Sequence, residues 1–563
     1  MKFILIWLGF LIIDLILVRD LNWVYEFGFG KRFLVNFLLT ALGFLIVLYF
    51  LRGINKKWQK RVALITIILP LLLQSSNFAI YKKFISPFGI SFFNENPIYT
   101  LKLWFENINF LETFLIIIIS LILLHSLFNL PKIKNKILFY INALLLVIIL
   151  FASWFSWYSI GLYQYSLIAF YGNGVNILKN FQYQSLAINK VKVPKMKAKQ
   201  DLPNIIWIVG ESMNFNRMSL YGYKRDTTPN LVKIEQEKKL IKFNNVTSIG
   251  NKTRSSVPYL FKGLQGIDIT GVIYQYPSVF DYAKSLGYKT AIISAQDWKW
   301  GELDQMFVDE NVDWFQHGSD FSADVSVSRG ADDLKVFEKA IKPYIKNQTQ
   351  PYLLIVQMAG SHYPYTLHSP KEFKKFLPEK SKNDDNAYDN TVVYSDIYLS
   401  KLINESYKQD QNTWVFFAPD HGQSLDKSKG LFNEGYDKSV IHTPMFIIAP
   451  DKIDDKKLNS LKSNINSPIS QADVLATILD IFAIKAIKPL DGISIFKTIN
   501  KDRLRIVSAN MITLHNDPNA ALVLPDFSYY WIDFSKKSVI LPDGKTVIKY
   551  EDFKYKNIFD KRL

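Results

Sequence analysis

The sequence predicts a multidomain membrane protein: a bundle of five transmembrane helices, then an exported α/β domain on a mainly parallel sheet. Three observations carry that expectation. Apolar residues crowd into five runs before residue 158, strand-like and helix-like segments alternate from about residue 202 onward, and short charged motifs follow two of the strand-like runs.

The membrane part (1–157) comes first. Of the 563 residues 49% are hydrophobic, and mean hydropathy is +0.05, high for a chain that is also 21% charged. The five runs occupy 3–18, 33–51, 62–78, 111–128 and 137–157. A span takes roughly 20 mostly apolar residues, with about 17 to 25 usual, so four qualify and the first is slightly short. The first reads as a retained helix rather than a cleaved signal, because Asp14 interrupts it and no small-residue cleavage site precedes Arg19 and Asp20. Lysine and arginine gather on the cytoplasmic side of membrane proteins. Residues 52–61 hold five basic residues and no acidic one, and 131–136 hold three lysines. Both loops are therefore expected inside, which puts everything after residue 157 outside the cytoplasm.

Residues 158–201 form the connection. Tyr158, Tyr163, Tyr165, Tyr171 and Tyr183 suit interfacial helix at headgroup level, and the lysine-rich stretch 190–199 suits an extended linker. Within 202–563, strands are expected at 204–209, 290–294, 352–358, 413–418 and 445–449, with helices at 279–286, 331–345 and 392–405. Alternation of this kind argues a mainly parallel sheet with helices on both faces. Near the carboxyl end the pattern changes to a short antiparallel meander at about 519–552. The chain has no cysteine. Exported domains are often stapled by disulfides, but roughly 360 residues can fold on a hydrophobic core alone, so the compartment rests on topology. The formal charge of +17 does not point to nucleic acid, since part of it orients the spans and the lysines are spread along the chain. A basic domain beside an anionic lipid surface is the simpler reading.

The motifs carry the chemistry. Ile-Val-Gly-Glu-Ser (208–212) and Ala-Pro-Asp-His-Gly (418–422) each follow an apolar strand. Glu211, Asp420 and His421 are thus expected at the carboxyl ends of strands, where ligands collect in an open α/β sheet. Two carboxylates and an imidazole form an oxygen-rich site that suits zinc. A loop of small hydroxyl residues, Thr-Ser-Ile-Gly-Asn-Lys-Thr-Arg-Ser-Ser-Val-Pro (247–258), supplies what such a site lacks. A hydroxyl is a poor nucleophile unless a base or metal activates it.

Taken with Gly-Tyr-Lys-Arg-Asp-Thr-Thr-Pro (222–229) and Gly-Ser-His-Tyr-Pro-Tyr (360–365), these motifs follow an order that resembles the membrane-bound phosphoethanolamine transferases of Gram-negative bacteria. Those enzymes belong to the alkaline phosphatase and sulfatase superfamily and include lipid A modifying enzymes behind polymyxin resistance. The resemblance implies an alkaline-phosphatase/sulfatase-like catalytic domain with zinc bound by Glu211, Thr253, Asp420 and His421, and Thr253 as the residue that takes the phosphoethanolamine group covalently. It implies a place for His362 beside the transferred phosphate and a substrate-binding role for Lys299. Asn96 and Thr100, four apart and so on one helix face, match residues that hold the donor headgroup, although the glutamate expected one turn on is replaced by Trp104. A further family histidine has no clear counterpart, and His442 is the nearby candidate for substrate binding.

The function so implied is transfer of phosphoethanolamine from phosphatidylethanolamine to lipid A or the lipopolysaccharide core, by a monomer in the bacterial inner membrane with its catalytic domain in the periplasm. Membrane lipids are the expected partners, and nucleic acid is not. Three other readings compete: a glycerophosphotransferase of the lipoteichoic acid synthase type, a sulfatase or phosphodiesterase-like hydrolase, and a non-enzymatic membrane scaffold. The hydrolase reading lacks the sulfatase nucleophile motif Cys/Ser-x-Pro-x-Arg, and the scaffold has no need of a metal constellation.

Overall fold

The computed structural model describes residues 1–19, 31–81, 84–85, 109–131, 140, 144, 165–172, 190–196, 201–237, 240–268, 272–298, 303–322, 324–325, 329–382, 384–426, 435–509, 519–534 and 536–560. Most of the apolar run 137–157, together with Asn96, Thr100 and Lys299, lies outside the described residues. The chain divides into two compact units, Met1–Ser185 with Thr513–Asn516, and Leu186–Ile512 with Asp517–Leu563.

In the first unit, α1 (Lys2–Ile12) passes into a wider π-helical turn (Ile13–Val18), followed by α2 (Lys31–Leu51), α3 (Lys57–Tyr81) and α4 (Phe110–Phe128). Four of the five apolar runs therefore fall on helices. Among the described residues, α4 is the one helix that passes as a membrane span on length and composition, with 19 residues and a mean hydropathy of 2.3. Its start is fixed by Asn109, whose side-chain oxygen accepts from the N–H groups of Leu111 (3.1 Å) and Glu112 (3.3 Å). Asp14, the residue that interrupts the first run, is fully buried and satisfied. It accepts from Arg19 Nε at 3.1 Å and from the Ser166 N–H at 2.8 Å. Polar groups in apolar surroundings persist only with partners, and these two remove the objection that Asp14 raises against a helix there.

The second unit is built on a seven-stranded sheet. Its strands are β1 (Asn204–Gly210), β2 (Leu240–Phe243), β4 (Lys289–Ser294), β5 (Trp314–Gln316), β6 (Tyr352–Gln357), β7 (Thr413–Pro419) and β8 (Met445–Ile448); the two-residue β3 (Val246–Thr247) pairs separately with β9 (Ile469–Ser470). The order across the sheet is β2-β8-β7-β1-β6-β4-β5. The five strands from β7 to β5 are parallel, whereas β8 runs antiparallel to both β7 and β2. The sheet is therefore mixed at one edge, which corrects the expectation for the strand at 445–449. All seven residues of β1 are buried, because both faces are covered. Ile205, Trp207 and Val209 enter one core, Ile206 and Ile208 the other, and β6 and β7 alternate in the same way. A three-layer α/β/α sandwich results.

Two helices matter for the site. α5 (Thr253–Leu260) begins at the hydroxyl-rich loop, and α6 (Asp385–Gln409) runs for 25 residues, longer at both ends than its apolar pattern indicates. The helix expected at 331–345 is present over 333–346 and widens into a π turn at Phe337–Ile341 between α-helical Asp333–Val336 and Lys342–Lys346. Pro343 lacks the N–H that would close the α ladder there. The carboxyl meander has five strands and starts before the 519–552 stretch, because β10 (Arg505–Ser508) pairs antiparallel with β11 (Asn519–Val523), followed by β12 (Tyr529–Asp533), β13 (Ser538–Ile540) and β14 (Val547–Lys549).

Candidate active site

The register of β1 against β7 creates the site. Gly210 is paired with Pro419, so the next residues, Glu211 and Asp420, emerge side by side at the carboxyl ends of two parallel strands. The Asp420 N–H donates to the Gly210 carbonyl at 3.0 Å and extends the ladder by one step. There the backbone turns sharply: Ser212 has φ +54, a left-handed conformation that costs a non-glycine residue about 1 to 3 kcal/mol. Surrounding bonds hold it, since the Ser212 N–H donates to Asp420 Oδ1 (3.2 Å), its hydroxyl to Glu211 Oε1 (2.6 Å), and Tyr388 OH to its carbonyl (2.7 Å).

Glu211, Asp420 and His421 are all buried, and each offers a ligand atom within 4.8 Å of the others. Thr253, the first residue of α5, completes the group. Its hydroxyl donates to Asp420 Oδ2 at 2.6 Å and lies 3.2 Å from Glu211 Oε2. His421 Nδ1 stands 2.7 Å from its own neighbour's carbonyl, at Gly422, an acceptor that calls for the proton on Nδ1. Nε2 then carries the lone pair, 3.4 Å from Asp420 Oδ2 and 3.7 Å from Glu211 Oε1.

Electrostatics suit this group to a cation. Burial, then the adjacent Glu211 charge, pushes the Asp420 carboxyl well up. Burial also opposes ionisation of Glu211, but His421, His362 and hydrogen bonds from Asp420 and Ser212 outweigh it and hold Glu211 below the usual carboxylate range. Burial lowers His421 against the opposing pull of Glu211. Two buried carboxylates side by side cannot both ionise cheaply without a positive partner. The donor set of two carboxylate oxygens, one neutral imidazole nitrogen and one hydroxyl suits a tetrahedral divalent ion.

A third strand end closes the site from the β6 side. Gly360 has φ +52, and a methyl group there would stand 2.9 Å from the Glu211 carbonyl oxygen, so only glycine lets this loop pass. The Ser361 N–H donates to that same carbonyl at 3.0 Å. Buried Asp333 holds the loop from behind, accepting from the N–H groups of Ala359 (2.8 Å) and Gly360 (3.0 Å). His362 follows, half-exposed, with Nδ1 2.6 Å from the Tyr363 carbonyl.

His442 has a different setting. Its ring is stacked on Phe215 (centroids 3.9 Å apart) and lies 4.1 Å from that of Phe527, with Nε2 2.9 Å from the Asn244 carbonyl. Burial pushes its pKa down to about 3. It is outside the group formed by Glu211, Asp420 and His421 and is built into packing. The 222–229 motif is likewise scaffold: Tyr223 and Arg225 donate to buried Asp389 of α6, and the Thr228 hydroxyl accepts from the Leu220 N–H at 2.8 Å. Sequence reasoning missed Gln296, whose Nε2 donates to Glu211 Oε2 (2.7 Å) and to the Met358 carbonyl (2.8 Å). The signal was its position two residues past β4, at the same edge of the sheet as Glu211.

The chain is 26% identical over 289 residues to the Kdo(2)-lipid A phosphoethanolamine 7''-transferase of Escherichia coli K12, covering 48% of this chain and 49% of that enzyme. It is 27% identical over 299 residues to the phosphoethanolamine transferase EptA of Helicobacter pylori, covering 49% of this chain and 53% of that protein. The chain thus spans about half the length of the curated relatives it matches. Among solved structures, the integral membrane protein EptA of Neisseria meningitidis covers 85% of this chain and 95% of its own, at a TM-score of 0.52 and 18% identity. The zinc complex of the periplasmic domain of EptC from Escherichia coli covers 60% of this chain and 97% of its own, at 0.50 and 20%. These likenesses show a shared fold. The sulfatase family model matches residues 203–484, half of the chain and the stretch that runs from β1 through the Glu211, Thr253 and Asp420 cluster; this chain belongs to that family.

Proposed function

We propose that the chain is a metal-dependent transferase that moves phosphoethanolamine from phosphatidylethanolamine to lipid A or the lipopolysaccharide core. In this reading Glu211, Thr253, Asp420 and His421 hold zinc, residues 1–157 anchor the protein in the bacterial inner membrane through five spans, and the domain over 202–563 works in the periplasm. The observation that carries it is the Thr253 hydroxyl held between two buried carboxylates at the start of a helix. The relatives named as phosphoethanolamine transferases support the choice of group over the glycerophosphate of lipoteichoic acid synthesis.

The chain's own residues outline two half-reactions. The carboxylate pair that holds the Thr253 hydroxyl, Asp420 Oδ2 at 2.6 Å and Glu211 Oε2 at 3.2 Å, takes its proton, and the amino end of α5 favours the negative charge that develops on Oγ. Oγ attacks the donor phosphorus, a Thr253 O–P bond forms, and the P–O bond to diacylglycerol breaks, with a proton needed on the departing oxygen. Bound zinc would supply a Lewis acid that lowers the pKa of the hydroxyl and offsets phosphoryl charge. In the second half, a hydroxyl or phosphate oxygen of the acceptor bonds to the same phosphorus, the Thr253 O–P bond breaks, and a proton returns to Thr253 Oγ. His362 is assigned proton exchange in one half-reaction, and Lys299, Asn96 and Thr100 substrate binding. Mass spectrometry of lipid A and core sugars from Gram-negative cells expressing the chain tests this: added phosphoethanolamine is expected with the native chain and not with Thr253→Ala. Unchanged lipids with a well-expressed native chain would overturn it.

A further inference from the structure

The loop over 363–382 has features that the transfer reaction leaves unused. It leaves the site directly after His362 and returns to its origin, since the Tyr365 N–H donates to the Lys382 carbonyl at 3.1 Å. Its interior is pinned. Lys374 Nζ reaches Glu379 (2.5 Å) and the Thr366 carbonyl (3.3 Å), and Phe373 packs on Tyr394 with centroids 5.1 Å apart. Asn390 Oδ1 accepts from the N–H groups of Lys375 (2.9 Å) and Phe376 (2.8 Å), while Asn386 Nδ2 donates to the Pro378 carbonyl (2.9 Å). The loop closes on itself and is tied to α6 on both sides of residue 377.

Against that rigid backbone, the exposed side chains stand out. Leu377 is 67% exposed, Leu367 50% and Tyr363 37%. A leucine bracketed by fixed backbone is presented to solvent, not loosely disordered into it. Exposed Lys371, Lys380 and Lys382 make no ion pair among the described residues, and Glu372 is the loop's one exposed carboxylate likewise unpaired. Exposed apolar side chains interspersed along one loop with exposed cationic ones suit a protein that lies on an anionic bilayer, where apolar tips enter the interface and lysines meet headgroup phosphates.

We propose that the 363–382 loop is a membrane-contact element: Leu367 and Leu377 enter the interfacial layer of an anionic lipid surface, and Lys371, Lys380 and Lys382 bind its phosphates. Because the loop continues the Gly360 to His362 segment, contact at its tip bears on the placement of His362. The proposal rests on the proposed function only in needing the catalytic domain to work at a membrane surface.

The absence of cysteine permits a direct test. The full chain carrying Leu377→Cys, labelled with a polarity-sensitive fluorophore, is reconstituted into vesicles of phosphatidylcholine alone or with phosphatidylglycerol. Val547→Cys, at a site 60% exposed in the meander, is the control. The expected result is a blue shift and a several-fold lower quenching by aqueous iodide for the label at 377, stronger with phosphatidylglycerol and reduced by K371E/K380E/K382E. Equal emission and quenching at 377 and 547 in both lipids would overturn it, as would indifference to the triple lysine variant. Transferase activity is read on the same preparations. An active enzyme without the shift sinks the loop proposal alone, whereas the shift in an inactive native chain sinks the transferase reading alone.

Discussion

At the scale of single residues, the site depends on a few oxygen atoms whose roles separate by substitution. Thr253 offers its hydroxyl to Asp420 and Glu211, whereas the Ser255 hydroxyl donates to the Lys252 carbonyl at 3.0 Å and accepts from the Lys252 N–H at 3.2 Å, which caps α5. Thr253→Ala is therefore expected to reduce transfer by 10³-fold or more, a loss on the order of those seen when an activated nucleophile is removed. Ser255→Ala should retain the chemistry and lose only about 1 kcal/mol of stability from the weakened cap. Radiolabelled donor turnover on purified variants checks both, and comparable loss in the two variants would contradict the assignment. Metal content provides a second measurement. Asp420→Asn and His421→Ala each remove one donor from a set of four, so zinc per chain by elemental analysis should fall sharply in both. Activity lost to a chelator should return with zinc for the native protein and not for either variant.

At the scale of elements, the loops at the strand ends set the geometry, and Asp333 is the most informative post among them. Burial pushes its carboxyl up to about 7 against the N–H bonds from Ala359 and Gly360, while an unfolded aspartate titrates near 3.9. Folding therefore takes up a proton between those values. Stability from this group is full below about pH 4, declines as pH rises toward about 7, and is flat above. Asp333→Asn should flatten that slope in thermal unfolding of the detergent-solubilised chain, and an unchanged slope counts against the burial argument. Gly360→Ala should be worse, because a left-handed backbone costs roughly 1 to 2 kcal/mol before the 2.9 Å clash with Glu211 is counted. The central strands were legible in sequence because burial on both faces makes each a continuous apolar run. β5 was not: it has three residues, and Trp314 on it is exposed. Nor was the direction of β8, since an apolar run reads alike both ways. Glu211, Asp420 and His421 announce themselves at strand ends, but Asp333, Gln296 and Tyr388 act through distant segments that only the tertiary fold brings together.

At the scale of the whole molecule, the donor hypothesis stands on topology. Phosphatidylethanolamine in the outer leaflet and a lipopolysaccharide acceptor meet Thr253 only if the second unit lies on the periplasmic side. The basic loops at 52–61 and 131–136 argue that it does. The span most open to question is the first, because it is short and contains an acid. Asp14 is nevertheless matched by Arg19, just past the helical turn, at 3.1 Å, and an ion pair costs far less to place at the membrane than a lone charge. If α1 is retained, an alkaline phosphatase reporter fused after residue 157 should be active and one fused within 52–61 silent. Replacing both Asp14 and Arg19 by leucine should leave that pattern intact, since no net charge is lost and the run becomes longer and more apolar. Replacing Arg19 alone should lower the yield of inserted protein by exposing Asp14. The reverse reporter pattern would put Thr253 in the cytoplasm, away from both substrates, and the transferase reading would fall with it.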